Sequence, residues 1–249
     1  MSNGTIGWRE LMSPEPEKSQ RFYGELFGWS IKAVPFGPNT YRLINAGEKQ
    51  IAGIMDFKKP GIPPHWVSYV TVADVDKAAN AAKANGGTIA NPPTDIPDVG
   101  RFAVLLDPFG AVSVAFKTAH PERDTPQDAN ARPKPSEFCW ETLSTTDIEK
   151  AIGFYTKVYP WTSKKGDPGN TNLFFAGDRM VADIQGTPPG VPPNWLTYVV
   201  VAKLADGRAR AEKLGGKILM PEVEVPGMGA LAVVQDDIGA VIGLFEGRM

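Results

Sequence analysis

Glu10 is the side chain best placed for chemistry in this chain. Strand-like alternation sets it on one face with Trp8 and Met12, while Arg9 and Leu11 take the other. A carboxylate in aromatic and apolar company can act as a general base whose pKa is raised by burial. It can equally sit in water at a rim, or pair with an arginine such as Arg42. The chain has 2 histidines. His65 follows Pro63-Pro64, and its counterpart in an internal repeat is Asn194, which cannot shuttle protons near neutrality; capping the loop by hydrogen bonds suits both residues. His120 lies in a polar, proline-rich stretch and takes no role. Cys139 is the sole cysteine, so an intrachain disulfide and a thiolate cluster are both impossible. With no histidine close in sequence it reads as a small buried strand residue. Asp107-Pro108-Phe109-Gly110 has the residues of a type I turn, and Asp236-Asp237-Ile238-Gly239 keeps the outer two, so both aspartates are assigned to turn geometry. Gly86-Gly87 and Gly215-Gly216 end helices rather than open them, which removes the phosphate-loop reading.

The elements that must position these residues occur twice. Residues 8–117 and 140–246 share landmarks in order: Phe22-Tyr23 with Phe154-Tyr155, Trp29 with Trp161, and Pro63-Pro64-His65-Trp66 with Pro192-Pro193-Asn194-Trp195. Pro97, Gly100 and Gly110 likewise match Pro226, Gly229 and Gly239, and the second copy is slightly shorter between Trp161 and Gly190. A long period with few insertions implies two folded domains of about 110 residues each, at 1–117 and 138–249. The segment 118–137, with Pro121, Pro126, Pro133 and Pro135 and no large aliphatic residue, reads as an extended linker.

Within each copy, strand and helix signals alternate. In the first, a strand at Trp8–Met12 leads to a helix over about 16–28, started by Ser13-Pro14 and carrying the stripe Phe22, Tyr23, Leu26, Phe27. Strands follow around 30–34, 40–45 and 51–57. The strand at 66–72 leads to a helix from about Asp74 to Asn85, and strands at 88–90, 102–106 and 112–116 complete the copy. In the second copy Thr146-Asp147-Ile148-Glu149 has capping-box spacing ahead of a helix. The whole is an α+β chain of four βαβββ units.

With 26 Lys+Arg against 28 Asp+Glu and neither sign gathered in a run, nucleic-acid and anionic-membrane binding gain no support. The N-terminus lacks a basic segment followed by an apolar stretch, and no run of about 18 apolar residues occurs, so a cytoplasmic protein is expected. Monomer and homodimer both remain open.

The order Asp147-Ile-Glu-Lys-Ala-Ile-Gly-Phe-Tyr155, Val72-Ala-Asp-Val-Asp76 and Arg101-Phe-Ala-Val-Leu-Leu-Asp-Pro-Phe-Gly110 resembles the vicinal oxygen chelate superfamily of glyoxalase I, extradiol dioxygenases and bleomycin-resistance proteins. The chain is most similar to its tandem glyoxalase-like members that carry a hydroxylase label. The resemblance implies mixed sheets curved into cups, with a divalent ion held by the first and last strands of each unit. Carried over residue by residue, the ion positions fall on Trp8, Gly53, Val67 and Val114 in the first copy and on Trp140, Asp183, Leu196 and Gly243 in the second. Asp183 alone offers a donor there; a one-residue shift adds Glu10, Glu141 and Ser68. A divalent catalytic site needs about three converging donors, so neither cup is expected to carry a metal or another cofactor, unless Asp183 and Glu10 are brought together.

What remains is a concave site with aromatic walls. By strand parity Val67, Tyr69 and Thr71 line one cup and Leu196, Tyr198 and Val200 the other. Trp8, Glu10 and Tyr69 in the first copy, and Trp140, Thr142 and Tyr198 in the second, are the candidate ligand contacts, with the alternative that these rings fill the cups as core. The leading expectation is a metal-free protein that sequesters or senses a small, partly aromatic molecule. Two alternatives stand beside it: a divalent-metal-dependent lyase, isomerase or oxygenase, and a structural or interaction protein whose cups are filled by their own side chains.

Overall fold

The computed structural model describes residues 3–37, 39–121, 132–166 and 171–248. The first copy runs β1 (Ile6–Ser13), α1 (Pro16–Phe27), β2 (Ser30–Phe36), β3 (Asn39–Ala46), β4 (Lys49–Asp56), β5 (His65–Thr71), α2 (Val75–Ala84), β6 (Thr88–Ile96), β7 (Gly100–Leu106) and β8 (Val112–Thr118). The second repeats the order with β9 (Phe138–Thr145), α3 (Ile148–Val158), β10 (Thr162–Lys165), β11 (Asn172–Ala176), β12 (Arg179–Gly186), β13 (Asn194–Val200), α4 (Leu204–Lys213), β14 (Lys217–Val225), β15 (Gly229–Gln235) and β16 (Val241–Gly247). Each copy supplies one open eight-stranded sheet, in the orders β2-β3-β4-β1-β5-β8-β7-β6 and β10-β11-β12-β9-β13-β16-β15-β14. Parallel pairing of β1 with β4, β5 with β8, β9 with β12 and β13 with β16 marks four βαβββ modules in an α+β fold.

Local signals explain most boundaries, with three corrections. Helix α1 opens on Pro16 after Glu15, not on Ser13-Pro14; Ser13 Oγ instead accepts the Glu15 N–H at 3.1 Å and shares a hydrogen bond with Ser19 Oγ at 2.8 Å. The cap of α3 is Asp147 rather than Thr146, its carboxylate accepting the Lys150 N–H at 3.1 Å. Strand β6 runs through Pro92-Pro93 to Ile96, past the expected end at residue 90, because it lies at a sheet edge where a missing N–H costs no ladder bond. The expected linker at 118–137 includes residues 122–131, which lie outside the described residues. Among the described residues no helix is long and apolar enough to cross a membrane.

Two compact units divide the chain differently from the sheets. One takes the described residues of 1–8, 67–131 and 141–195; the other takes those of 9–66, 132–140 and 196–249. Each unit therefore draws one βαβββ module from each copy and has its own core.

In the first unit α2 packs on α3 around Leu105, Leu143, Phe154, Tyr155, Trp161 and Trp195. Asp107 Oδ1 accepts the backbone N–H groups of Phe109, Gly110 and Ala111 at 2.8–2.9 Å, which builds the expected turn. Its other oxygen accepts the Tyr155 hydroxyl at 3.0 Å, and Trp195 Nε1 donates to that hydroxyl at 2.9 Å. Gly87 makes the approach possible: a Cβ there would lie 2.8 Å from the Phe154 ring and 2.7 Å from the Leu106 carbonyl.

The second unit repeats the arrangement with the copies exchanged. Asp236 holds Ile238, Gly239 and Ala240 through Oδ1, accepts the Tyr23 hydroxyl at 2.9 Å through Oδ2, and Trp66 Nε1 donates to Tyr23 at 3.0 Å. Gly216 clears the Phe22 ring, 3.0 Å from where a Cβ would stand. The repeated Phe-Tyr, Pro-Pro-x-Trp, Gly-Gly and Asp-x-x-Gly signatures are thus one buried hydrogen-bonded assembly, made twice.

Burial pushes the Tyr23 and Tyr155 hydroxyls well above their ordinary range and also raises the Asp236 carboxyl, against the lowering pull of Tyr23 and three backbone donors. Removing either hydroxyl leaves a buried indole N–H unsatisfied, so Tyr23→Phe and Tyr155→Phe should each cost about 1–3 kcal/mol in urea unfolding. Because the folded state holds the Asp236 proton to higher pH than the unfolded state does, this group's contribution to stability falls as pH rises above about 4. The unfolding free energy of Asp236→Asn relative to the parent should therefore improve with pH over that window; a difference independent of pH would show that burial does not govern this carboxyl.

Candidate functional site

The helices cover one face of each sheet, and the candidate residues divide by strand parity. In β1, Leu11 joins the helix-side core, which puts Trp8, Glu10 and Met12 on the helix-free face. Glu10 stands opposite Gly53 of β4, and Gly53 stands opposite Leu43 of β3. The Tyr41 hydroxyl, two residues before Leu43, donates to Glu10 Oε1 at 2.7 Å. The ring reaches Glu10 only because position 53 has no side chain: a Cβ there would lie 1.8 Å from the Tyr41 oxygen. Phe36 flanks Tyr41, with ring centroids 5.7 Å apart. Arg42 is not the partner of Glu10. It faces α1, where its guanidinium pairs with Glu17 and donates to Gln20 at 3.2 Å, because adjacent strand residues point to opposite faces.

Tyr69 on β5 is half-buried, opposite Val114 of β8, with its ring edge-on to Phe116 at 5.9 Å. In the second sheet Thr142 of β9 stands opposite Asp183 of β12, Thr142 being 4% exposed and Asp183 partly exposed. Trp140 is half-buried on β9. Tyr198 of β13 is 5% exposed and lies flat over Gly243 of β16, where a Cβ would meet its ring at 2.1 Å. Glu141 has the opposite parity to Thr142; it is buried and accepts the Ser68 hydroxyl at 2.8 Å. His65 and Asn194 each bond the carbonyl two residues back, His65 Nδ1 to Pro63 and Asn194 Nδ2 to Pro192, both at 2.8 Å. These two side chains shape matching loops.

The resemblance implies a divalent ion at positions on the first and last strands of each module. Two of those positions, Gly53 and Gly243, lie beneath tyrosine rings that leave no room for a side chain. Across the ladders Glu10 faces Gly53 and Asp183 faces Thr142, so neither pairing sets two carboxylates side by side. Among the described residues no group of three His, Cys, Asp or Glu side chains is arranged to hold a metal. The residues present do not fit a three-donor ion site.

Tyr41 and Gly53 escaped the sequence reading as a pair because the contact needs the β3–β4 register. The parity of Tyr41 with Leu43 was the available signal.

Residues 5–113 match the sequence model of the Glyoxalase/Bleomycin resistance protein/Dioxygenase superfamily. That match covers the first copy. The relatives of this glyoxalase-fold chain include "Putative glyoxylase CFP32" of Mycobacterium tuberculosis, 28% identical over 98% of this chain and 95% of that protein. "Anthracycline biosynthesis protein DauV" of Streptomyces sp. strain C5 is also 28% identical, over 98% of this chain and 94% of its own length. Among solved structures, the Mn(II)-bound glyoxalase from Novosphingobium aromaticivorans superposes with a TM-score of 0.62 at 15% identity, covering 99% of this chain and 83% of that one. The 2,3-dioxygenase LapB from Pseudomonas sp. KL28 gives 0.63 at 10% identity, covering 99% and 92%. At such identities the two structures speak to the shared fold.

If Gly53 exists to seat Tyr41, Gly53→Ala should destabilise the protein by about 1–3 kcal/mol through overpacking. Combined with Tyr41→Ala, its cost should largely vanish in a double-mutant cycle of urea unfolding. Additive costs would show that the glycine serves something other than the ring.

Proposed function

We propose that this protein binds a small, partly aromatic molecule on the helix-free faces of its sheets, without a metal ion, and thereby sequesters or senses it. The observation that carries the reading is a tyrosine ring seated over glycine at two of the positions where the resemblance implies an ion, Tyr41 at Gly53 and Tyr198 at Gly243. A scaffold with aromatic rings at those positions favours stacking and hydrogen bonding over Lewis-acid chemistry. Trp8, Glu10 and Tyr69 on the first sheet, and Trp140, Thr142 and Tyr198 on the second, are the proposed contacts. A Streptomyces relative named for anthracycline biosynthesis supports a ligand of partly aromatic class.

A second reading keeps metal-dependent lyase, isomerase or oxygenase activity, with Glu10 and Asp183 as the surviving carboxylates. The glyoxylase name of a relative matched along nearly the whole chain supports it. Elemental analysis of protein purified without chelator separates the two: stoichiometric Zn, Fe, Ni or Mn would defeat the metal-free reading.

For the contacts themselves, Trp140→Ala should weaken binding of a planar aromatic probe by roughly two- to tenfold, the range of one aromatic pair, with the melting temperature little changed. A large drop in melting temperature at unchanged affinity would mark Trp140 as core.

A further inference from the structure

We infer that four buried side chains, Tyr159 with Ser113 and Phe27 with Ile242, form a matching code that gives each βαβββ module its partner from the other copy, so that both units close within one chain rather than between two. The buried Tyr–Asp–Trp assembly cannot make that choice. It is built from the same residue types in both units, so Tyr23 would fit Asp107 as well as Asp236, and Tyr155 would fit Asp236 as well as Asp107. A second chain could then supply the partner from the like copy, β1–β4 of one chain meeting β5–β8 of another, and β9–β12 meeting β13–β16. Selection has to come from positions where the two units differ.

In the first unit Tyr159 and Ser113, 2% and 3% exposed, share a hydrogen bond of 2.7 Å between modules. In the second unit the corresponding positions hold Phe27 and Ile242, 5% and 0% exposed, in one apolar core. The two rings take the same seat: Tyr159 stacks on Tyr155 at 6.1 Å and 20°, and Phe27 on Tyr23 at 6.2 Å and 17°. Ser113 and Ile242 match in register too, opposite Leu105 and Val234. Each pair suits itself and neither suits the other. Tyr159 against Ile242 would bury a phenol hydroxyl without a partner and crowd it against the larger side chain. Phe27 against Ser113 would strand the serine hydroxyl and leave a gap where the phenol oxygen now sits. Pairing of like with like makes one mismatch or the other in every unit.

A second difference points the same way. Arg21 reaches Asp237 at 2.9 Å in the second unit, where the first unit has Gly153 and Pro108 at the corresponding positions. Like pairing would set Arg21 against Pro108 and take the cation from Asp237, whose side chain is 13% exposed. Arg21 itself is 58% exposed, so solvent weakens this ion pair and the four buried side chains carry most of the selection.

The test reverses the code while keeping the composition of the chain. Phe27→Tyr with Tyr159→Phe moves the phenol into the copy that holds Ser113, so that the matched pairs now lie within like copies. Ser113→Ile with Ile242→Ser does the same from the opposite side. Full chains are unfolded in urea, refolded at high protein concentration and sized by chromatography with light scattering. The parent should refold chiefly to one species. Each double variant should form a species of twice that mass at least about fivefold more than the parent does, the ratio expected for one buried hydroxyl left unsatisfied. The quadruple variant, which matches the pairs between copies again, should return to the parent's profile. A double variant that refolds to the parent's profile, or a quadruple variant that does not, overturns the inference. Where a double variant fails to refold, recovery of the parent's profile by the quadruple variant supports the code, and its failure to refold overturns it.

Discussion

A tyrosine hydroxyl from one copy, donated to a buried turn aspartate of the other, is the constraint on which both compact units rest. Tyr155 reaches Asp107 and Tyr23 reaches Asp236, each with a tryptophan indole donating to the phenol. The same aspartate organises three backbone N–H groups through its second oxygen, so the lead-in to the last strand and the joining of two modules share one carboxylate. Bonds made in a low-dielectric interior are strong when complete and expensive when broken. That asymmetry explains why a chain of two repeats keeps phenylalanine, tyrosine, tryptophan, glycine pair and aspartate together in both.

The helix-free faces follow a different rule. Their residues sit at equivalent ladder positions yet differ in kind: Glu10 facing Gly53 in the first sheet, Thr142 facing Asp183 in the second. The core assembly is the same in both units, while these faces carry different side chains at equivalent ladder positions. The missing side chain at 53 and at 243 leaves room for a tyrosine ring from a neighbouring strand. The likeness to glyoxalase and dioxygenase structures along the whole chain gives its scaffold, and its ligand chemistry has to be argued from the residues that stand on it.

Much was legible before any coordinates. The repeat gave four βαβββ modules, because Phe-Tyr, Gly-Gly and Asp-x-x-Gly recur in order and each has a local structural meaning; strand parity placed Trp8, Glu10 and Met12 on one face, since alternation is a property of the extended chain. His65 and Asn194 were readable as loop-capping groups because their bonds go to the carbonyl two residues back. Composition, with one cysteine and two histidines, also bounded the chemistry.

Tertiary structure decided everything that depends on register or on which module meets which. No spacing in the chain says that β1 pairs with β4 so that Glu10 faces Gly53, that Tyr41 then crosses the glycine, or that Tyr155 finds the aspartate of the other copy. Local propensity is carried by neighbouring residues and survives in the sequence. Contacts between distant segments are selected only by the packing of the whole, and there the meaning of Gly53, Gly243 and Asp107 was settled.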